Sequence, residues 1–161
     1  MSIAAQILDI AIKHGIMVAT AESCTGGMVA VALTDVAGSS AVVERGFVTY
    51  SNAAKTEMLG VCPATLAAHG AVSEEVAREM AEGALSHSRA QLAVAITGIA
   101  GPGGSEFKPE GRVCFGLART GFATHTETRE FGAPGRAEVR RLSRDHALTL
   151  LLAALRKGAQ P

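Results

Sequence analysis

Apolar positions recur along the chain with two different periods, and these periods predict the order of its first elements. Residues 3–14 place Ile and Ala side chains at helical spacing, with Gly15 just past the end. The short apolar runs Ile16–Thr20 and Leu92–Thr97 predict buried strands. Val42–Tyr50 is rich in Val, Phe and Thr and predicts another strand.

Caps, glycines and prolines predict the remaining elements. Further helices are expected over Met28–Val36, from a cap at Ser51 or Asn52 to Gly60, from Pro63, from a cap at Ser73, and from about Pro134 to Lys157. After a glycine-rich loop at Gly98–Gly111, Arg112–Thr120 and Thr124–Phe131 predict a hairpin. We therefore expect one α/β domain over residues 1–161, with a mostly parallel sheet and one antiparallel strand.

Length and composition narrow the class of protein. A chain of 161 residues is long enough to bury roughly 70% of its unfolded surface. With 48% hydrophobic and 19% charged residues, it is not a disordered chain. Lysine plus arginine equals aspartate plus glutamate at 15 each, so no bulk attraction to nucleic acid or an anionic membrane is implied. No apolar run approaches the ~20 residues that a membrane helix needs.

The cysteines and histidines predict neither disulfides nor a metal site. Cys24, Cys62 and Cys114 are odd in number and far apart. Together with the lack of a signal peptide, this pattern indicates a reducing cytoplasm. The five histidines are scattered, without zinc-binding spacing. We therefore expect no metal and no cofactor.

Ser23 is the first candidate for chemistry, because it lies between a predicted strand and the pair Gly26-Gly27 that opens a helix. Ligand sites in open α/β sheets gather at the carboxyl ends of parallel strands. Glycines there let backbone N–H groups approach an anion or form an oxyanion hole. The alternative is that Ser23 or Thr25 only caps the next helix.

Lys55 and Tyr50 follow the second predicted strand. Lys55 falls in the first turn of its helix, where the helix dipole and partial burial favour the neutral amine that a general base needs. The alternative is a solvated lysine that pairs with Glu57. Tyr50, the single tyrosine, can equally be a half-buried strand residue.

The final helix begins with arginines, whose charge opposes the helix dipole. An anionic ligand near Arg136 and Arg140 would reverse that penalty, since guanidinium binds phosphate bidentately. Pairing with Glu138 or Glu127 on the surface is the alternative. His146 falls on the apolar stripe of this helix, which is typical of a core histidine.

Several segments together resemble the CinA C-terminal domain family, the nicotinamide-nucleotide amidohydrolases. They are Ala21–Gly27, Arg45–Asn52 with Lys55, Gly70–Ser73, and Thr97–Pro102. The blocks follow family order and spacing over nearly the whole chain, so together they are far more specific than a single motif. Larger family members carry an additional N-terminal domain, and this chain resembles the stand-alone form.

The resemblance implies a three-layer α/β/α fold with a mixed sheet. It also implies hydrolysis of nicotinamide mononucleotide (NMN) to nicotinate mononucleotide and ammonia. Ser23 is then the nucleophile and Lys55 and Tyr50 its activating partners. The implied substrate site includes Thr25, Gly26, Gly27, Thr97, Gly98, Arg136 and Arg140. No cofactor, nucleic acid or membrane is implied as a partner, and a homodimer is compatible with the sequence.

Two other hypotheses stay open at this point. Cys24 could be the nucleophile, since a thiolate is intrinsically stronger, although no histidine is evidently placed to pair with it. A different amide could also be the substrate. A non-catalytic role in competence or DNA damage is suggested by the family's name, but the neutral net charge and the lack of a nucleic-acid motif argue against direct DNA binding.

Overall fold

A computed structural model describes residues 1–105 and 107–158, which form six α-helices and five strands. The helices are α1 (Ile3–His14), α2 (Met28–Thr34), α3 (Asn52–Leu59), α4 (Pro63–His69), α5 (Glu74–Ser86) and α6 (Arg136–Arg156). The strands are β1 (Val18–Glu22), β2 (Val43–Val48), β3 (Leu92–Gly98), β4 (Arg112–Arg119) and β5 (His125–Glu130). A single 3-10 turn, Ser39–Ala41, precedes β2.

The strands form one mixed sheet in the order β2-β1-β3-β4-β5. Strand β1 pairs in parallel with both β2 and β3, while β4 is antiparallel to β3 and β5 is antiparallel to β4. Only β4 therefore runs against the other four strands of the described chain. The expected mixed sheet and the late hairpin are confirmed. The carboxyl ends of β1, β2 and β3 lie along one edge, where the polar candidates were expected to meet.

Serine caps begin three of the helices, because a hydroxyl oxygen can accept from a backbone N–H that has no partner within the helix. Ser51 accepts from the amide of Ala54 at 3.0 Å, and Ser73 accepts from Val76 at 3.2 Å. These are the caps that the sequence indicated. Ser2 caps α1 in the same way.

The two faces of the sheet carry side chains of different size. Successive residues of a strand point to opposite faces, so β3 presents Leu92, Val94 and Ile96 to the core formed with α1, α2 and α6. The intervening Ala93 and Ala95 belong to the core formed with α3 and α5. Helix layers on both faces confirm the expected α/β/α fold.

Small residues bring α5 close to the sheet. A methyl group at Gly116 of β4 would lie 2.3 Å from the carbonyl oxygen of Ala77 in α5, and one at Gly83 of α5 would lie 2.0 Å from that of Leu59. Real Cβ atoms do not approach backbone so closely. Glycine is therefore required at both positions for this packing.

Strand β1 begins and ends two residues later than the predicted Ile16–Thr20, which is a correction. Gly15 ends α1 in the left-handed conformation, and the amide of Met17 donates to the side chain of Gln91 at 2.8 Å, so the chain enters the sheet only at Val18. The strand then continues through Ala21 and Glu22. The prediction ended with the apolar run, whereas the Glu22 carboxylate is hydrogen-bonded inside the protein and can therefore belong to a buried strand.

Other boundaries move by a few residues. Helix α2 ends at Thr34 rather than Val36, β2 spans Val43–Val48 rather than Val42–Tyr50, and α6 begins at Arg136 rather than Pro134. Glu106 of the predicted Gly98–Gly111 loop lies outside the described residues, as do residues 159–161. One domain over residues 1–161 stays a prediction. Among the described helices, none is both long and apolar enough to cross a membrane.

Edge strand β5 is tied to α6 through the carboxylate of Glu127. This group lies 2.8 Å from His146 Nε2, 2.9 Å from His125 Nε2 and 3.0 Å from Arg129 Nε. Partial burial raises the pKa of Glu127, but hydrogen bonds from His125 and His146, with a further one from Arg129, lower it overall to about 2. His146 also packs edge-on against Phe115, which fits its interpretation as a core histidine.

We expect Glu127→Gln to destabilise the folded protein in a pH-dependent way. The folded pKa of about 2 lies below the ordinary 4.5, so the unfolded state binds the proton more readily. The stabilisation is therefore complete above the ordinary value and is lost as the pH falls toward about 2. Near neutral pH the substitution should lower the free energy of unfolding by about 1–3 kcal/mol.

Urea unfolding of both proteins across the acid range measures this difference. The unfolding free energies of the two proteins should converge as the pH falls from about 4.5 toward about 2. A difference in unfolding free energy that stays constant with pH would contradict the assigned role of the charge.

Candidate active site

A polar cleft of about 320 Å³ opens at the carboxyl edge of the three parallel strands. This volume is at the lower end of the roughly 300–1,000 Å³ typical of small-molecule sites. Its walls come from the β1–α2 turn, the β2–α3 connection, the segment before α5, the loop after β3 and the start of α6. The lining residues include Ser23, Cys24, Tyr50, Asn52, Lys55, Ala71, Val72, Thr97, the stretch from Gly98 to Ser105, and Arg136.

Ser23 and Lys55 lie together at the base of this cleft. Ser23 Oγ is 3.1 Å from Lys55 Nζ, and both residues are buried, with Lys55 only 1% exposed. Nζ also donates to the carbonyl oxygens of Thr49, at 3.0 Å, and Tyr50, at 3.4 Å. Lys55 is therefore not the solvated side chain of the alternative interpretation. A nucleophile within hydrogen-bond reach of a basic group is the arrangement that covalent catalysis requires.

The strand period explains how these two side chains meet. The amide of Ser23 donates to Ile96 O at 3.0 Å, so the pairing of β1 with β3 continues one residue past Glu22. Alternation then directs Glu22 toward α2 and Ser23 toward the opposite face, where α3 lies. Lys55 reaches Ser23 from the first turn of α3, which Ser51 caps.

Glu22 is the residue that the sequence analysis missed. Its buried carboxylate accepts from Thr25 Oγ1 at 2.6 Å and from three backbone amides at the start of α2. The available signal was an acidic residue just before a glycine-opened helix, because helix N-termini favour negative charge. The amide of Gly26 donates to Ser23 O and that of Gly27 to Glu22, so in this structure these two groups already have partners.

The predicted substrate residues Thr25, Gly26 and Gly27 lie behind the cleft rather than in its lining. Thr25 is fully buried and is bonded to Glu22. Gly27 adopts a left-handed conformation, with φ 111°, at the cap of α2. Their contacts shape the turn that carries Ser23. Direct contact with a substrate stays a prediction for these three residues.

Thr97 and Gly98 line the cleft, as predicted. Thr97 is buried and its hydroxyl donates to Ala71 O at 2.8 Å, which ties β3 to the segment before α5. A methyl group at Gly98 would lie 2.7 Å from a Val113 methyl group and 3.1 Å from Cys24 Sγ. Glycine at this position therefore leaves space for the Val113 side chain and for Cys24 Sγ.

Arg136 and Tyr50 meet across the mouth of the cleft. Arg136 Nη2 donates to the Tyr50 hydroxyl at 2.7 Å, and Nη1 donates to Gly101 O at 2.5 Å. The side chain of Tyr50 is thus placed against Arg136, while its backbone carbonyl accepts from Lys55. Neither Glu138 nor Glu127 pairs with Arg136: Glu138 binds Arg141 and Glu127 binds the two histidines and Arg129.

Arg140 lies one helical turn away and contacts the turn that carries Ser23 instead of lining the cleft. Its Nε donates to Cys24 O at 3.0 Å and its Nη2 to Thr25 O at 3.4 Å. The structure thus separates the two arginines that the sequence treated together. Only Arg136 is among the residues that line the cleft.

The charge of the cleft favours an anionic ligand. Arg136 contributes positive charge, and no Asp or Glu is among the described lining residues. In the described part of the chain, no group of three or more His, Cys, Asp or Glu side chains is arranged to hold a metal ion. The arrangement is suited to nucleophilic chemistry on a negatively charged small molecule.

Cys24 is a poor nucleophile in this environment. Burial raises the pKa of its thiol, and the nearby Glu22 charge adds to this effect. A hydrogen bond from its own backbone amide and the charges of Arg140 and Lys55 oppose it, and the resulting pKa is about 12. At neutral pH the group is therefore a thiol, whereas the reactive form of cysteine is the thiolate. Cys24 is therefore disfavoured as a nucleophile.

Comparison with known proteins identifies the family of this chain. A family model described as the CinA C-terminal domain matches residues 1–155. The chain belongs to the CinA C-terminal domain family. Within it, the chain is 53% identical over 152 residues to the nicotinamide-nucleotide amidohydrolase PncC of Escherichia coli, covering 94% of this chain and 92% of the relative. It is 57% identical over 127 residues to a CinA-like protein of Chlorobium phaeobacteroides, covering 77% of this chain but only 30% of that longer protein.

Solved CinA structures share the same fold. The competence/damage inducible protein CihA of Agrobacterium tumefaciens has a TM-score of 0.91 and 50% identity, covering 96% of this chain and 93% of that one. The competence damage-inducible protein A of Klebsiella pneumoniae has a TM-score of 0.93 and 37% identity, covering 98% and 97%. The sequence-based assignment to the CinA family is thereby confirmed.

The state of the Cys24 thiol gives a prediction that does not depend on substrate. With iodoacetamide near neutral pH, exposed Cys62 should be alkylated at least about tenfold faster than buried Cys24. Peptide mass spectrometry over a time course measures both rates. Unfolding in urea should equalise them, and rapid alkylation of Cys24 in the folded protein would contradict the assignment of a buried, protonated thiol.

Proposed function

We propose that this chain hydrolyses the carboxamide of NMN to give nicotinate mononucleotide and ammonia. The observation that carries the proposal is the 3.1 Å contact between Ser23 Oγ and Lys55 Nζ in a cationic cleft. Identity of 53% to E. coli PncC, with 92% of that protein covered, supports the choice of substrate. The reaction needs a nucleophile, a base, an oxyanion site and a proton for the departing ammonia.

Lys55 is the proposed general base. Burial disfavours a charged amine, and its position in the first turn of α3 adds an unfavourable helix dipole. Nζ donates to the carbonyl oxygens of Thr49 and Tyr50, which hold it beside Ser23 Oγ. In its neutral form the amine accepts the Ser23 proton.

The chemical steps follow from this pair. Ser23 Oγ attacks the carboxamide carbon as its proton passes to Lys55 Nζ, and a tetrahedral intermediate forms. The C–N bond breaks when Lys55 returns that proton to the leaving nitrogen, which departs as ammonia and leaves an ester on Ser23. Water, deprotonated by Lys55, then attacks the ester and releases the carboxylate product with Ser23 restored.

The developing oxyanion needs N–H donors close to Ser23. The amides of Gly26 and Gly27 already donate to Ser23 O and to Glu22. Those of Cys24 and Thr25 directly follow the nucleophile and donate to no carbonyl or side-chain oxygen of another described residue. We assign the oxyanion site to these two amides.

Arg136 is the proposed partner of the substrate phosphate. It lies at the first position of α6, where the helix N-terminus favours an anionic ligand, and it lines the same cleft as Lys55. The Tyr50 hydroxyl holds one of its nitrogen atoms. Direct proton transfer by that phenol stays a prediction, as does a homodimer.

The three cysteines are all free thiols, which agrees with the proposed cytoplasmic location.

Ser23→Ala should lower kcat for NMN by more than about a thousandfold while the protein stays folded, because the hydroxyl that forms the ester is removed. Ammonia release in steady-state kinetics, with circular dichroism as the folding check, measures this result. Cys24→Ala is the matched control and should retain most of the activity. If the alanine at Cys24 abolishes turnover and the alanine at Ser23 does not, the serine mechanism is wrong.

Arg136→Ala should raise KM for NMN by about ten- to a hundredfold, because a charge-assisted hydrogen bond to phosphate is lost. Nicotinamide riboside lacks the phosphate, so the substitution should have little further effect on its hydrolysis. A double-mutant cycle of residue against phosphate measures the coupling. Equal losses on nucleotide and riboside would assign Arg136 a structural role.

The same double-mutant cycle with Arg140→Ala tests the sequence-based prediction that Arg140 contacts the substrate. A direct phosphate contact would give the coupling expected for Arg136. Because its guanidinium already donates to Cys24 and Thr25, we expect equal losses of kcat on both substrates instead.

A further inference from the structure

The carboxylate of Glu22 is built into the turn that carries the proposed nucleophile. Oε1 accepts from Thr25 Oγ1 at 2.6 Å and from the amides of Val29, at 3.0 Å, and Gly27, at 3.3 Å. Oε2 accepts from the amide of Ala30 at 3.1 Å. With 1% exposure, this side chain does not line the cleft. One buried group therefore connects the end of β1, the turn and the first turn of α2.

These contacts explain how a charged residue is accommodated in a buried strand. Four donors surround the carboxylate, and three of them belong to a helix N-terminus, where a negative charge is stabilised. The usual partners of such amides are side-chain caps or external anions. Here Glu22 takes that place from within, so an anionic group of the substrate is not needed there.

Arg140 holds the same turn from helix α6. It donates to the carbonyl oxygens of Cys24 and Thr25, while Glu22 accepts from donors on Thr25 and Gly27. The turn between Ser23 and Gly27 is thus fixed through both its donors and its acceptors.

We propose that Glu22 is a positioning residue, which holds this turn so that Ser23 Oγ stays within hydrogen-bond reach of Lys55 Nζ. The inference rests on the proposed function in taking Ser23 as the nucleophile. Glu22 touches neither the substrate nor Lys55 in this role. Its removal should lower the rate of the chemical step and leave substrate binding nearly unchanged.

Glu22→Gln is the sharpest test because glutamine has the same length and shape. Its amide oxygen can still accept at one position, but its NH₂ group faces the Ala30 amide, so two donors oppose each other. We expect kcat for NMN to fall by about ten- to a hundredfold, since small displacements of reacting groups carry losses of this size. KM should stay within about twofold, because Arg136 and the loop after β3 are unaffected.

A second readout separates this inference from the choice of substrate. A fluorophosphonate forms a covalent bond to an activated serine, and peptide mass spectrometry gives the rate of Ser23 labelling. Glu22→Gln should slow labelling by a factor similar to that for kcat. If the parent protein is labelled at Ser23 but does not hydrolyse NMN, the proposed substrate is wrong, and the labelling rates alone decide the role of Glu22.

Glu127→Gln is the matched control. Glu127 also accepts three hydrogen bonds, but on β5 and away from the cleft. This variant should lose stability and keep both the labelling rate and kcat. A comparable loss of kcat in both variants would assign the effect of Glu22 to general destabilisation and overturn the proposal.

Thr25→Val keeps the test decisive if Glu22→Gln does not fold. Valine removes only the hydroxyl that donates to Glu22 Oε1, so it should slow labelling and turnover in the same direction but by less. Unchanged rates in whichever of the two variants folds would overturn the proposal. A rise in KM with unchanged kcat would also overturn it, because Glu22 would then act on binding.

Discussion

A buried carboxylate lies one residue before the proposed nucleophile, and its four hydrogen bonds hold the connection between β1 and α2. Because a strand alternates its side chains, Glu22 and Ser23 are directed to opposite faces of the sheet. The first is directed toward the amides of α2, and the second toward Lys55 on α3. The position of Ser23 in the cleft therefore depends on the satisfaction of a charge on the other side of the sheet.

The remaining residues of the cleft are connected through backbone groups as much as through side chains. Lys55 donates to two carbonyl oxygens of the β2–α3 connection, Arg136 donates to the carbonyl of Gly101, and Thr97 donates to that of Ala71. Each contact links segments that are distant in sequence. The cleft is consequently a property of the sheet edge as a whole, because the side chains that line it also hold the loops around it.

Much of the fold was predictable because the chain has clear helical periods, serine caps and compact apolar strands. Ser23, Lys55, Thr97 and Arg136 were also predicted to belong to one site, and they do line one cleft. The limits of β1 were not predictable from hydrophobicity, since the strand ends in a charged residue whose partners come later in the chain. The different contacts of Arg136 and Arg140 were not predictable either, because the partners of both side chains come from segments distant in sequence. One helical turn decides which segment each guanidinium reaches.

The alanine-rich face of the sheet has a consequence for the shape of the cleft. Helix α5 lies against Ala93, Ala95 and Gly116, and the segment leading into it supplies Ala71 and Val72 to the cleft wall. The thickness of this alanine layer therefore sets how far that wall stands from the end of β3. In this architecture the width of a cleft depends on the volume of methyl groups in the hydrophobic core, so a bulkier core side chain beneath α5 would displace one wall of the cleft.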